Sequence, residues 1–356
     1  MGCLAIYAAS AIKGVQLYHN PFFFVQKQAL VAALGFSLAL ITQILPLRWL
    51  RHLTLPMLIF TIVLLALIFV PNLYQKVGGA SRWINCGLIN IQPAELAKLA
   101  FVFFLARNLS REACQRKQFS SVVLPNFFVL FLIGGLLMKQ PDFGTVALLG
   151  IITFFMIYIA GAPLRFILYP VLAFALAGIA AIIHTPYRYQ RLVSFLDPWA
   201  NIQQGGFQII QSYLGFSNGG LFGVGLGESR QKLFFLPEAH TDFIFSVIGE
   251  ELGLLGVTFI CSLLLFILFL GFFIALQQKE PFFRFLSFGL TFILSLQAIL
   301  NLAVVLGMLP TKGLTLPFVS SGASSLIISL FMIGVLARLG QEVRYYNPKN
   351  QEFSKS

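Results

Sequence analysis

The chain alternates long apolar runs with short polar segments. The runs cover residues 28–45, 54–70, 95–109, 122–138, 143–160, 164–184, 252–276, 285–308 and 322–339. Most are long enough to cross a hydrocarbon core, which takes about 20 helical residues. A shorter apolar segment, 2–11, is about half that length, and we interpret it as the end of a truncated first span. The pattern therefore predicts an all-α polytopic membrane protein with about ten transmembrane helices.

Composition and charge agree with this class and orient the chain. Hydrophobic residues make up 58% of the sequence and charged residues 10%, which a water-facing globular surface could not accommodate. Lys and Arg accumulate in cytoplasmic segments, and with the N-terminus inside, thirteen fall in inner segments and six in short outer loops. The sequence therefore predicts both termini inside and one large extracytoplasmic loop, 185–241. The net charge of +12 then reflects topology and attraction to anionic lipids, and requires no nucleic acid.

We predict a single transmembrane domain over residues 1–340, interrupted by the loop 185–241 and followed by a polar cytoplasmic tail, 341–356. The four cysteines, Cys3, Cys86, Cys114 and Cys261, lack the spacing of metal sites. We expect neither a disulfide nor a zinc site.

Acidic residues concentrate just before one apolar run. Five of the chain's twelve carboxylates fall between residues 223 and 256, at a membrane edge where charge usually has a function. Asp242 would face the outer headgroup layer, where it acts either chemically or as a helix cap. Glu238 lies four residues earlier, so the two carboxylates could divide acid and base roles or bind a divalent cation. Glu250 and Glu251 are as consistent with structural pairing as with catalysis.

The predicted outer loop also holds Arg188 and Arg191 among aromatic residues. Arginine binds phosphate oxygens in a bidentate way, so this pair suits a pyrophosphate-bearing lipid. The alternative is that both are solvated or paired with Asp197.

Further polar segments end at the same predicted face, around Trp83, Asp142 and Lys312. Together they could line an outward-opening cavity. Glu95 and Lys98 lie three apart just inside a span, so the spacing predicts a neutralising pair with a stabilising role.

Five of these segments together carry a family resemblance. They are GASRWINCGLINIQPAELAKL, QPDFGT, YRYQRLVSFLDPW, GVGLGESRQKLFFLPEAHTDFIFSVIGEELG and LPTKGLTLPFVSSGASSL. In order and spacing they resemble the SEDS family of shape, elongation, division and sporulation proteins. Within the fourth segment, the sequences GLGESRQK and EAHTDFIF are more similar to division-type than to elongation-type members.

The resemblance implies a ten-span peptidoglycan glycosyltransferase that polymerises lipid II at the outer face of the cytoplasmic membrane. Asp242 corresponds to the essential aspartate of the family. Other positions that match family motifs, as site or structural residues, are Trp83, Glu95, Lys98, Asp142, Arg191 and Lys312.

The chemistry of that reaction gives the acidic and basic residues complementary roles. A sugar hydroxyl must attack an anomeric carbon that bears a lipid pyrophosphate, so the hydroxyl needs a base and the leaving group needs positive charge. We assign Asp242 as general base. Arg188, Arg191, Lys312 and a divalent cation, Mg²⁺ or Mn²⁺, would neutralise pyrophosphate, with Trp83 and Glu238 assisting substrate binding. No tightly bound cofactor is expected, and the metal ligands stay unassigned.

Three alternatives stay open. A lipid II transporter would need polar residues through the depth of the bilayer, whereas most inner halves of the spans are apolar. An elongation-type polymerase would share the chemistry, and a scaffold would tolerate loss of Asp242. The resemblance implies lipid II, a class B penicillin-binding transpeptidase and other division proteins as partners. We expect a location in the bacterial inner membrane, in contact with membrane lipids, at the division site.

Overall fold

A computed structural model describes residues 2–70, 74–77, 80–85, 90–111, 119–229, 231 and 241–345. Helices dominate these residues. In chain order they are α1 Gly2–Tyr18, α2 Phe23–Ile44, α3 Leu47–His52, α4 Thr54–Leu67, α5 Pro93–Leu109, α6 Phe119–Val122, α7 Leu124–Lys139, α8 Phe143–Ile159, α9 Leu164–Ile183, α10 Pro186–Leu196, α11 Gly206–Gly219, α12 Ile244–Gln277, α13 Pro281–Val305 and α14 Ala323–Tyr345. A single 3₁₀ turn, Ile202–Gln204, precedes α11.

Each apolar run coincides with a helix, which confirms the predicted all-α membrane fold. Within the described residues, six helical segments are long and apolar enough to cross a membrane by themselves: Phe23–Ile44, Phe119–Lys139, Leu164–Ile183, Ile244–Gln277, Pro281–Val305 and Ala323–Val343. Thr54–Leu67 and Phe143–Ile159 are shorter apolar helices. The first helix is longer than its apolar run, because Lys13 and Gln16 end the run but are good helix formers. The half-length first segment predicted from hydropathy is therefore wrong in extent.

The predicted loop and the predicted tail both contain helical residues. The segment 185–241 contains the helices α10 and α11, so its described part is largely helical. The helix α14 continues to Tyr345, so the first five residues of the predicted tail are helical, and the others lie outside the described residues.

Three short strands form the one sheet found in the described residues. They are β1 Tyr74–Val77, β2 Ala80–Asn85 and β3 Asn90–Ile91, paired antiparallel in the order β1-β2-β3. Trp83 lies on β2 opposite Gln75. These strands are too short for an apolar–polar alternation to stand out in the sequence, so we did not predict them.

The chain divides into two compact units. Unit 1 comprises residues 1–34, 176–267 and 295–326, and unit 2 comprises 35–175, 268–294 and 327–356. A single domain over residues 1–340 stays a prediction. The core of unit 1 contains Ile6, Phe243, Ile244, Phe245, Val247, Ile248, Ile260, Leu264, Ala298, Val304, Val305, Leu316 and Val319. This core directly adjoins Asp242 in the chain.

Unit 2 is built around α5, which is buried over most of its length. Close packing there depends on small residues. A Cβ on Gly289 of α13 would lie 2.6 Å from Cγ1 of Val102, which is closer than real atoms approach. Phe155 stacks on Phe292 with ring centroids 3.6 Å apart.

The helix α12 is broken at Gly253, whose φ of 64° and ψ of −162° are open essentially only to glycine. The hydrogen bonds lost at the break are replaced by the segment 220–225. Glu250 and Glu251 accept backbone hydrogen bonds at 3.0 and 3.1 Å from Val224 and Gly225. In return, the amides of residues 254 and 255 donate to the carbonyls of residues 220 and 221. A break inside an apolar helix is tolerated because protein satisfies its backbone groups.

Candidate functional site

Asp242 lies in the turn 241–243, immediately before α12 begins at Ile244. Its side chain is partly buried. A Cβ built on Gly313 would lie 3.3 Å from Oδ2 of Asp242, so the carboxylate lies beside the backbone of the segment that carries Lys312. Because residue 313 is glycine, it places no side chain of its own against the carboxylate.

We call residues 311–316 the lysine segment, because Lys312 lies within it and is partly exposed. Two buried amides on α13 hold the segment. Asn301 donates from Nδ2 to the carbonyl of Leu314 at 2.6 Å, and Gln297 donates from Nε2 to the carbonyl of Thr315 at 3.0 Å. Since residues four apart lie on the same face of a helix, the two amides bind consecutive carbonyls.

Asn301 also bonds to the turn that contains Asp242. Asn301 Nδ2 also donates to the backbone carbonyl of Asp242 at 2.9 Å. A second connection runs through Ser320, whose hydroxyl donates to the carbonyl of Thr241 at 2.6 Å and accepts from the amide of Leu316 at 2.8 Å. The structure thus brings Asp242 and the lysine segment together.

Arg191 contacts the first residue of the lysine segment. Its Nη1 donates to the carbonyl of Thr311 at 2.8 Å, and its guanidinium lies 4.5 Å from the ring centroid of Tyr187. We predicted Arg191 as a phosphate ligand; the structure gives its side chain a structural contact as well. The planar guanidinium has five N–H donors, so this bond leaves capacity for a ligand.

Arg188 lies one turn before Arg191 on α10. It is partly buried, and its Nη1 donates to the carbonyl of Ala181 at 3.1 Å. Asp197, considered above as a partner for these arginines, instead accepts a hydrogen bond from the amide of Ala200 at 3.0 Å. The two arginines therefore bind backbone carbonyls of two different segments, Arg188 that of Ala181 and Arg191 that of Thr311.

Glu250 and Glu251 have separate environments, as expected for adjacent helical residues. The Glu250 carboxylate accepts from the Ser229 hydroxyl, from the amide of Gln231 at 3.2 Å and from Asn218 Nδ2 at 3.4 Å. Glu251 is buried and lines a largely apolar cavity of about 130 Å³. The contacts of Glu250 favour the structural interpretation, because they anchor residues 229 and 231 to α12.

In unit 2 the motifs around Trp83 and Asp142 are joined by Arg82. This arginine, on β2, donates from Nε to the carbonyl of Gln140 at 3.0 Å and from Nη2 to that of Pro141 at 2.6 Å. Trp83 is partly buried. Asp142 caps α8, accepting from the amide of Thr145 at 3.2 Å and from its hydroxyl at 2.8 Å.

Glu95 and Lys98 form the pair that their spacing predicts. Nζ of Lys98 lies 2.7 Å from Oε1 of Glu95, and the lysine side chain is 1% exposed. These two residues, with Trp83 and Asp142, belong to unit 2, whereas Asp242, Arg188, Arg191 and Lys312 belong to unit 1. The predicted helper Glu238 lies outside the described residues.

Known proteins match the chain over almost its whole length. The FtsW/RodA/SpoVE family, described as cell cycle protein, matches residues 1–345. The chain belongs to this family.

Curated FtsW/RodA/SpoVE relatives are similar to it at about 40% identity. A probable peptidoglycan glycosyltransferase FtsW from Geobacter sulfurreducens is 40% identical over 349 residues, covering 96% of this chain and 92% of the relative. A protein with the same description from Legionella pneumophila is 37% identical, covering 97% of this chain and 88% of the relative.

Solved structures of the family share the fold. One, from a study of the structural coordination of polymerization and crosslinking by a peptidoglycan synthase complex, has a TM-score of 0.78 and 31% identity, and covers 97% of each chain. The Thermus thermophilus rod shape determining protein RodA has a TM-score of 0.67 and 28% identity, covering 97% of this chain and 96% of that one.

Several residues that hold Asp242 and the lysine segment in place were not predicted. Asn301, Gln297 and Ser320 are single uncharged polar residues within or beside apolar runs. The two amides are a signal that the sequence does contain, because an amide inside a membrane helix needs hydrogen-bond partners. Arg82, which joins the Trp83 and Asp142 motifs of unit 2, is one of the six cations of the predicted short outer loops. What each one bonds could not be predicted, since the partners lie far away in the sequence.

Proposed function

We propose that this protein is a peptidoglycan glycosyltransferase that polymerises lipid II at the outer face of the cytoplasmic membrane during cell division. The observation that carries the proposal is the juxtaposition of the Asp242 carboxylate with the lysine segment, through Gly313 and Asn301. The reaction needs a base and a cation near each other. The names of the FtsW relatives and the similarity to a peptidoglycan synthase complex support the same activity.

In this proposal Asp242 removes the proton from the attacking sugar hydroxyl. The hydroxyl oxygen forms a bond to the anomeric carbon of the second lipid II, and the bond from that carbon to the pyrophosphate oxygen breaks. The lipid pyrophosphate leaves with the bonding electrons, and Lys312 and Arg188 stabilise its negative charge. General base catalysis contributes about 10² to 10⁴ in rate.

Arg191 has two parts in the proposal. Its Nη1 fixes the carbonyl of Thr311, and its other N–H groups are offered to the same pyrophosphate. Trp83 and Glu238 are kept as proposed substrate contacts.

A divalent cation, Mg²⁺ or Mn²⁺, is a further element of the proposal. In the described part of the chain no group of three or more His, Cys, Asp or Glu side chains is placed to hold a metal. Mg²⁺ is often bound by one or two carboxylates together with substrate phosphates. We therefore propose that such a cation is held by Asp242 and the pyrophosphate, where it would supply positive charge.

We further propose that a class B penicillin-binding transpeptidase and other division proteins assemble with this chain at the division site. Similarity to a chain from a peptidoglycan synthase complex supports the first partner.

The test uses purified protein in detergent with labelled lipid II, with and without the transpeptidase, and resolves glycan polymer on a gel. We expect polymer from the wild type and a loss of at least 10²-fold in Asp242→Asn. The matched control is Asp197→Asn, which changes an exposed aspartate of the same unit and should keep wild-type activity.

Two results would overturn the proposal. Normal polymerisation by a folded Asp242→Asn protein would remove the base from the mechanism. Absence of polymer from the wild type under every condition, together with movement of lipid II across vesicle membranes, would favour the transporter.

A further inference from the structure

The side chain of Asn301 forms a bridge that ties the acid to the lysine segment. It is 1% exposed and donates both amide hydrogens, one to the carbonyl of Asp242 at 2.9 Å and one to the carbonyl of Leu314 at 2.6 Å. Those two carbonyls are 72 residues apart in the chain.

Only a double donor fits between two carbonyl oxygens. Rotating the amide by 180° would turn its own oxygen towards two acceptors, so the hydrogen-bond partners themselves assign the NH₂ group to this side. An aspartate of the same shape would place a negative oxygen against them. A leucine, which has the same branching but a larger side chain, would leave both carbonyls without this donor, at a cost of the same order as other buried unsatisfied groups.

Neighbouring bonds fix each end of the bridge. Gln297, one turn earlier on α13, holds the carbonyl of Thr315 at 3.0 Å. Ser320 holds Thr241 and Leu316. Within this set, Asn301 is the side chain that bonds both to the carbonyl of Asp242 and to the lysine segment, so its loss removes the bond between them.

We propose that Asn301 is a positioning residue for glycosyl transfer, which sets the separation between Asp242 and the backbone beside Lys312. This inference rests on the proposed function. Reacting groups must be held within a fraction of an ångström, and a misplacement of about 1 Å can lower the rate by about 10²-fold. Asn301 does not contact the substrate in this proposal; it acts through Asp242.

The kinetic test compares Asn301→Leu with the wild type in lipid II polymerisation. We expect kcat to fall on the order of 10²-fold while KM changes less than about threefold, because the binding groups are retained. The acidic limb of the pH profile of kcat/KM, which reports the base, should also shift. An unchanged kcat, or a fall in rate with an unshifted pH profile, would overturn the inference.

A double-variant cycle separates action through Asp242 from a general effect on the fold. If Asn301 acts through the acid, Asp242→Asn combined with Asn301→Leu should be no slower than Asp242→Asn alone. If instead the rate losses of the two single variants multiply in the double variant, Asn301 does not act through Asp242. The control is Asn126→Leu, which removes another buried amide, bonded to Asn108 in unit 2; it should lower thermal stability and keep kcat.

A measurement without activity distinguishes failure of this inference from failure of the proposed function. Hydrogen–deuterium exchange of Asn301→Leu should rise in peptides covering 241–243 and 311–320, and stay as in the wild type elsewhere. Unchanged exchange in those peptides would show that Asn301 does not hold the two segments together, even if the enzyme polymerises lipid II. If exchange rises but Asp242→Asn retains full activity, the bridge exists and the proposed role of the acid is wrong.

Discussion

Arg191 donates a hydrogen bond from Nη1 to the carbonyl oxygen of Thr311 at 2.8 Å, and so holds the residue that precedes Lys312. The two partners come from helix α10 and from the segment after α13, 120 positions apart. A residue whose charge suggests direct contact with phosphate therefore also supports the segment that carries a second cation.

We predict that Arg191→Lys lowers polymerisation although it keeps the charge. Lysine lacks the planar group that lies over Tyr187 and the fixed N–H that reaches Thr311. A hydrogen bond from a charged group contributes about 1.5–3 kcal/mol, so we expect kcat to fall on the order of 10-fold. Steady-state kinetics with labelled lipid II measures it.

The control for that change is Arg165→Lys. Arg165 is exposed and also lies over an aromatic ring, 5.3 Å from the centroid of Phe166. We expect wild-type kinetics from it. A raised KM with unchanged kcat in Arg191→Lys would instead assign Arg191 to substrate binding alone, and wild-type kinetics would contradict both roles.

Breaking the buried ion pair Glu95–Lys98 should lower the stability of the protein far more than breaking an exposed ion pair. Lys98→Met leaves the Glu95 carboxylate buried without its cation, which costs about 3–5 kcal/mol. The exposed pair is Arg51–Glu280, in which Nη1 lies 3.3 Å from Oε1 and the side chains are 51% and 45% exposed. Arg51→Met should therefore lower the free energy of unfolding by only about 0–1 kcal/mol.

Thermal unfolding in detergent, followed by circular dichroism, compares these two variants. A second variant, Glu95→Gln with Lys98→Met, removes both charges and should recover part of the loss. Equal destabilisation by Lys98→Met and Arg51→Met would show that burial does not decide the strength of these pairs.

The break in α12 should not tolerate a side chain. A Cβ on Gly253 would lie 2.4 Å from the amide nitrogen of Gly223, in a backbone conformation that disfavours all other residues. We expect Gly253→Ala to cost at least about 1–3 kcal/mol and to loosen the segment 220–225. The free energy of unfolding and proteolysis within that segment measure the two effects.

Gly135→Ala is the control, because it is also a glycine-to-alanine change but lies at a position with room for the added methyl group. Gly135 lies within α7, and a Cβ there meets no atom within 4 Å. Alanine in a helix is favoured over glycine by about 0.5–1 kcal/mol, so this variant should be neutral or slightly more stable. Similar losses from Gly253→Ala and Gly135→Ala would contradict our account of the break.

The structure adds detail that hydropathy does not contain. Apolar runs locate helices because every backbone group in lipid must bond within its own segment. The same rule gives no information on short strands, so the sheet with Trp83 was missed. It also gives no information on where an apolar run is broken, and Gly253 became evident only from the segment that bonds to it.

The sequence by itself determined the class of protein and the approximate helices, and it predicted Asp242 as the acid and Arg188, Arg191 and Lys312 as the cations. Hydrophobicity and charge are properties of single residues, and the family motifs are local. Only the tertiary structure decided that Asp242 adjoins the lysine segment, that Asn301 bridges them and that Arg191 holds Thr311. These contacts join residues between 13 and 120 positions apart, and their formation depends on how helices pack, which no local pattern records.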